Sequence, residues 1–201
     1  ETHDMDEVFE TVLIDVDGRE SIFKMGKLAI LWQLDRETGE LIKATDMGYQ
    51  TILNVNPTSG NITYRDGMIP RIGQQIDMCP STSGFKSWRA MAYSPQTKAL
   101  YIPITLNCEL ATFGPTEQVL GGGGSGPVRR TNYPHPDSGG NLGELLVLDV
   151  PSAEVKWRYR QRAPINTAAL TTAGNLVFVG DWNRYMYAFD AETGEKLWQT
   201  R

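Results

Sequence analysis

The chain has 201 residues, 40% of them hydrophobic and 21% charged, the balance of a water-soluble globular protein. Its 19 Lys and Arg against 24 Asp and Glu give a formal charge of −5, and no dense basic run is present to neutralise phosphates, which argues against nucleic acid as a partner. No apolar stretch approaches the roughly 18 residues that span a bilayer, and the acidic opening (Glu1, Asp4, Asp6, Glu7) is unlike a basic-then-apolar leader, so no transmembrane segment is expected.

In chain order, short runs rich in Val, Ile, Leu, Tyr and Trp alternate with turn chemistry. Val12 to Val16 precedes Asp17-Gly18, and Ala29 to Leu34 precedes Arg36-Glu37-Thr38-Gly39. Leu100 to Ile104 follows Ser94-Pro95-Gln96-Thr97, Leu145 to Asp149 precedes Pro151-Ser152, and Leu176 to Val179 precedes Gly180-Asp181. No window of about 11 residues keeps apolar side chains at helical spacing without a breaker, so the spacing predicts an all-β chain.

Internal repetition is the sharpest signal. Val147-Leu148-Asp149-Val150-Pro151-Ser152-Ala153-Glu154-Val155-Lys156-Trp157 aligns without gaps on Ala188-Phe189-Asp190-Ala191-Glu192-Thr193-Gly194-Glu195-Lys196-Leu197-Trp198, at a spacing of 41 residues. A weaker copy runs from Gln33 to Lys43, with Lys43 in the tryptophan slot. Each copy reads as a hairpin: a strand ends at the Asp, Asp-x-x-Thr-Gly turns with glycine left-handed, and the next strand carries the Trp. A period near 41 suits the four-stranded blade of a β-propeller, the plainer alternative being two similar hairpins in a β-sandwich.

At this period the chain amounts to about four blades, a partial or open propeller. It is expected to be a piece of a longer polypeptide or to assemble with other chains, because an open ring leaves strand edges unpaired. The 114 residues from Asp35 to Asp149 exceed one blade, and a long irregular loop is expected over about 114–140, around Gly121-Gly122-Gly123-Gly124-Ser125-Gly126-Pro127. No helix follows that glycine run, which excludes a phosphate cradle. Cys79 and Cys108 are too few for a zinc knuckle and form either one disulfide or two buried thiols.

Four segments, in this order, resemble the quinoprotein alcohol dehydrogenases, eight-bladed propellers that use pyrroloquinoline quinone (PQQ). They are Thr2-His3-Asp4-Met5-Asp6-Glu7; the run from Gly26 through Leu31-Trp32 to Gly39; Cys79-Pro80-Ser81-Thr82-Ser83-Gly84-Phe85-Lys86-Ser87-Trp88-Arg89-Ala90-Met91-Ala92-Tyr93; and the run from Thr167 to Asp181. The resemblance covers nearly the whole chain and corresponds to the middle and later blades.

The resemblance implies hydride transfer from a primary alcohol to PQQ, with Asp4 as the general base that takes the hydroxyl proton. A Ca2+ or lanthanide ion would act as Lewis acid, with Asp4 and Asp6 as its ligands from this chain. Asp6 matches the position at which lanthanide-using members carry an extra Asp. The residues alone also allow Asp4, Asp6 and Glu7 to be a solvated acidic terminus. Lys27 falls where a cation supports the reactive quinone oxygens, and otherwise reads as a surface lysine. Ser87 and Trp88 stand where many relatives have Asn-Trp near the cofactor, Trp88 being equally readable as blade core. Asn166 is placed near the pocket, and Trp157 and Trp198 in the blade-locking motif. His3 and His135 read as loop or strand-end residues. The resemblance further implies a periplasmic setting that permits a Cys79 to Cys108 disulfide, and an electron acceptor such as a cytochrome c. The upstream stretch that supplies the family's other metal ligands lies outside these residues, so the fragment alone is expected to have little activity. The competing reading is a non-catalytic propeller segment that serves in assembly or binding.

Overall fold

The computed structural model describes residues 3–115, 120–121 and 128–201. Among them the only helix is a 3-10 turn at Pro136–Ser138, and the rest of the regular structure is β, as the turn spacing predicts. No helix of the described residues is long and apolar enough to cross a membrane.

Three four-stranded antiparallel sheets form the blades. The first is the meander β1 (Thr11–Val16), β2 (Arg19–Met25), β3 (Ile30–Asp35) and β4 (Leu41–Asp46). Next come a hairpin, β5 (Leu53–Val55) and β6 (Ile62–Tyr64), and the strand β7 (Gln75–Met78). The second blade is built from β8 (Ala92–Ser94), β9 (Ala99–Thr105), β12 (Gly143–Asp149) and β13 (Val155–Gln161). Between its two inner strands the chain makes β10 (Asn107–Phe113) and β11 (Val128–Pro134), which join β7 in a three-stranded sheet. The third blade is β14 (Leu170–Thr171), β15 (Leu176–Gly180), β16 (Met186–Asp190) and β17 (Lys196–Thr200). Among the described residues three sheets have four strands and a hairpin and a three-stranded sheet accompany them, in keeping with the expected partial propeller.

The irregular loop expected at 114–140 is corrected in part. Val128–Pro134 is a full strand, paired along its length with Asn107–Phe113. Its sequence, Val-Arg-Arg-Thr-Asn-Tyr-Pro, is mostly exposed and lacks an apolar alternation, so only the partner strand reveals it. Residues 122–127, most of the glycine run, lie outside the described residues, as do Glu1 and Thr2.

Period-2 alternation builds the core. On the second blade Leu100, Ile102, Ile104, Leu146 and Leu148 face the first blade and pack with Phe23, Met25 and Leu31. Tyr101, Leu145 and Val147, on the opposite face, pack with Val177, Val179 and Phe189 of the third. The other face of the first blade, through Ile30 and Trp32, is covered by Ile52, Leu53, Ile76 and Phe113 of the intervening elements.

All three copies of the repeated hairpin anchor the turn on the Asp through the amide and hydroxyl of the residue three further on. Asp35 Oδ1 accepts from the amides of Glu37 and Thr38 and from the Thr38 hydroxyl, at 3.0 to 3.1 Å. Asp190 does the same for Glu192 and Thr193. Asp149 accepts from Ser152 N and Oγ. The turn closes on a left-handed residue: Gly39 at φ 73°, Gly194 at 75°, and Ala153 at 61° where glycine is replaced. A fourth copy, hidden because Asn and Ser replace Asp and Thr, is Asn56-Pro57-Thr58-Ser59-Gly60 between β5 and β6.

Tryptophan in this motif locks blades together. Trp157 of the second blade lies against Gly194 of the third, where an added Cβ would sit 2.6 Å from the indole Cδ2. Its Nε1 donates to the Ala191 carbonyl at 3.1 Å. Lys43, in the same slot of the first blade, reaches Ser152 O in the second blade's turn at 3.5 Å. Cys79 and Cys108 form a disulfide. It ties the segment after β7 to β10.

Candidate active site

The segment from His3 to Glu10 passes the β2–β3 turn without forming a strand. Alternate side chains face opposite ways: Asp4 and Asp6 line a pocket of about 790 Å³, and Met5 and Glu7 line a smaller cavity of about 220 Å³ with Leu28, Trp32 and Ile52. Burial pushes the Glu7 carboxyl up to about 7, against the opposing pull of Lys24 and Lys86.

Lys27 sits in the turn between β2 and β3. Its Nζ is 3.0 Å from Asp4 Oδ2 and 3.0 Å from Asp6 Oδ2, and donates to the Asp4 carbonyl at 2.6 Å. The lysine side chain is buried, whereas the two carboxylates are about half exposed toward the pocket (55% and 48%). Asp4 and Asp6 are therefore not a freely solvated terminus, nor is Lys27 a surface lysine. Asp4 has φ 59°, a left-handed conformation that Asp and Asn tolerate better than other side chains.

The backbone of Lys27 is held from two sides. Its amide donates to Asp6 O at 3.3 Å, and its carbonyl accepts from Phe85 N at 2.8 Å. Gly84, at φ 75°, makes the second contact feasible: a Cβ there would lie 2.3 Å from Lys27 Cγ and 2.9 Å from its Cα. The motif containing Ser83-Gly84-Phe85 thus seats the lysine 57 residues earlier in the chain.

A buried ion pair fastens the same two segments one step further along. Lys86, with no exposed surface, is 2.5 Å from Glu10 Oε2, and Glu10 Oε1 accepts from Met91 N at 2.8 Å. Burial pulls the Lys86 pKa down, and Glu10 opposes the shift. The Lys86 ammonium also lies 5.2 Å over the Phe9 ring, which meets Trp88 edge-on at 5.3 Å.

Ser87 is buried and lines the pocket; Trp88 also lines it and is 81% exposed. Among the described residues its indole forms part of the pocket wall rather than of a blade's buried core. Asn166 is exposed and is not among the lining residues; its backbone N–H donates to Gly180 O at 2.9 Å, and nearby Pro164 and Trp182 line the pocket. His3 is buried, with its ring 5.6 Å from Tyr64, and His135 is buried at the start of the 3-10 turn, where Nδ1 accepts from Asp137 N.

Sequence reasoning overlooked the far wall, where Arg130, Asn132 and Tyr133 of β11 line the pocket. Arg130 Nε lies 3.7 Å from the buried Glu109 Oε1. Arg89, beside Trp88, also lines the pocket. Its place next to that tryptophan was the available clue; β11 offered none.

This arrangement combines two oxygen-donor carboxylates, a buried ammonium and an exposed indole around one cavity. Two carboxylates on neighbouring positions suit a hard cation, which takes its ligands from oxygen. The volume and the indole wall suit a flat aromatic group.

A PQQ-repeat family model described as outer membrane protein assembly factor BamB matches residues 81–201, more than half of the chain. The lanthanide-dependent methanol dehydrogenase of Methylorubrum extorquens is 26% identical over 98% of this chain and 35% of that protein. The quinoprotein ethanol dehydrogenase of Pseudomonas aeruginosa is 27% identical over 85% of this chain and 32% of that protein. The structure of a europium-containing methanol dehydrogenase superposes with a TM-score of 0.91 at 24% identity, over all of this chain and 36% of that one, and so shares its fold. The chain spans about a third of the length of these relatives. With its repeated blades and its similarity to these enzymes along almost all of its length, the chain belongs to the PQQ-dependent quinoprotein alcohol dehydrogenase family.

Proposed function

We propose that this chain is the part of a PQQ-dependent alcohol dehydrogenase that carries its proton-accepting base, and that the whole protein oxidises a primary alcohol. The observation that carries this reading is the gathering of Asp4, Asp6 and Lys27 within 3.0 Å contacts on the rim of one large pocket. PQQ, when bound with Ca2+ or a lanthanide ion as Lewis acid, supplies the hydride acceptor.

Asp4 is the base. Hydride leaves carbon readily only as the hydroxyl loses its proton, and a half-exposed carboxylate on the pocket rim can accept that proton directly. Lys27, held by its backbone and by both carboxylates, presents a fixed positive charge that favours negative charge on a neighbouring oxygen. Asp4 and Asp6 would hold the metal from this side, and the other ligands would come from other blades of the same protein or from other chains. Ser87 and Trp88 would bound the cofactor, the hydroxyl as a hydrogen-bonding group and the indole as a flat wall. A periplasmic location and an acceptor such as a cytochrome c complete the proposal, in keeping with the Cys79–Cys108 disulfide.

The test is PQQ-dependent dye reduction by the full-length parent protein, supplied with Ca2+ or a lanthanide and a series of primary alcohols. Activity should fall by about three orders of magnitude in Asp4→Asn, which keeps the left-handed backbone but cannot accept the proton. A parent protein that retains PQQ yet oxidises no alcohol would refute the dehydrogenase reading and favour a structural or binding role.

A further inference from the structure

Among the described residues three cations line the pocket, and two of them pair with carboxylates of the chain. Lys27 pairs with Asp4 and Asp6, and Arg130 faces Glu109. Arg89 differs. Among the described residues its Nη2 donates to the Phe85 carbonyl at 3.3 Å, and its buried Nε has no hydrogen-bond partner. Among the described residues no carboxylate forms an ion pair with it, and burial alone pulls its pKa down. A guanidinium in such surroundings is destabilised until an anion reaches it, and its planar fork matches a carboxylate better than any spherical anion.

We propose that Arg89 is a specificity residue that binds a carboxylate carried by the alcohol, so that the preferred substrates are hydroxy acids. This rests on the alcohol-oxidising reading of the pocket. That reading assigns Lys27 and Ser87 to the quinone, which leaves Arg89 for the second ligand. The exposed Trp88 indole next to it offers an apolar surface for the hydrocarbon between hydroxyl and carboxylate. PQQ also carries carboxylates, so the experiment must separate the two sources.

The full-length holoenzyme is assayed with ω-hydroxy acids from glycolate to 6-hydroxyhexanoate and with 1-alkanols of matching length. The best-fitting hydroxy acid should exceed its matched alkanol in kcat/KM by about tenfold, as one charge-assisted pair would give. Arg89→Gln should lower that ratio by about tenfold, and Arg89→Lys should recover part of it. In the apoprotein, hexanoate should quench the pocket tryptophans of the parent but not those of Arg89→Gln. An unchanged ratio in Arg89→Gln overturns the proposal. So does loss of PQQ retention in equilibrium dialysis with the ratio intact, because the cofactor would then be the partner, and so does a carboxylate from another blade seated on Arg89. If Arg89→Gln does not fold, Arg89→Lys decides on the same ratio, a fall supporting the proposal and no change overturning it. A holoprotein inactive with every alcohol overturns both readings, whereas one active without preference for acids overturns only this one.

Discussion

Adding one methyl group at Gly194 should separate backbone strain from blade locking. Gly194 and Gly39 occupy the same turn position at φ 75° and 73°. Alanine in that conformation costs about 1 kcal/mol at either site. At Gly39 nothing lies within 4 Å of the added Cβ, so Gly39→Ala should lose that amount and no more. At Gly194 the Cβ would stand 2.6 Å from Trp157 Cδ2 and 2.8 Å from Cε3, so the indole must shift. Overpacking of this kind costs about 1 to 3 kcal/mol, and the shift weakens the Trp157 to Ala191 hydrogen bond, worth about 1 kcal/mol. Gly194→Ala should therefore lose roughly 3 kcal/mol, about 2 more than Gly39→Ala. With a urea slope of about 2 kcal/mol per molar, the two midpoints should differ by about 1 M. Equal midpoints would show that Trp157 does not lock the second blade to the third, and the interblade argument would fail.

Ala153→Gly, at φ 61° in the same turn position, should raise stability by about 0.5 to 1 kcal/mol, read as a higher urea midpoint. Replacing both Cys79 and Cys108 with Ala should cost about 3 to 4 kcal/mol, because the bridge closes a loop of 29 residues, and reducing agent should shift the midpoint of the parent but not of the variant. The Asp35 and Asp190 carboxylates are held below the usual value of 3.8, chiefly by the amides of Thr38 and Thr193. A carboxylate with a depressed folded pKa contributes stability that is full above its unfolded value and is lost as pH falls through the folded one. The acid limb of a stability-versus-pH curve should accordingly flatten in Asp35→Asn and Asp190→Asn, whereas the fourth turn, built on Asn56, adds nothing to that limb.

The candidate site was legible to different depths. Asp4, Asp6, Lys27, Ser87 and Trp88 could be nominated because each falls in a segment that resembles the quinoprotein dehydrogenases, and the structure brings all five to one pocket. Asn166, just before the fourth segment, was nominated by its position alone and lies off the lining, to which nearby Pro164 and Trp182 belong. Trp88 had two readings, core or pocket, which motif and composition cannot separate; its exposure depends on what Phe9 and Lys86 leave uncovered. Glu10 lies outside every motif, and nothing in the segment around Lys86 points to it as a partner. They matter because they are 76 residues apart and 2.5 Å from each other.

The repeated Asp-x-x-Thr-Gly hairpin was determined by the sequence alone because its hydrogen bonds and φ angles lie within about five residues, and the all-β character and blade period because turn residues recur along the chain at fixed intervals. Tertiary structure decided the hidden strand at Val128–Pro134, the seating of Lys27 over Gly84 and the placing of Arg89 on the pocket wall. Each of these depends on segments far apart in the chain meeting at close range. The partner, rather than the local run of residues, sets the conformation and the electrostatic balance there.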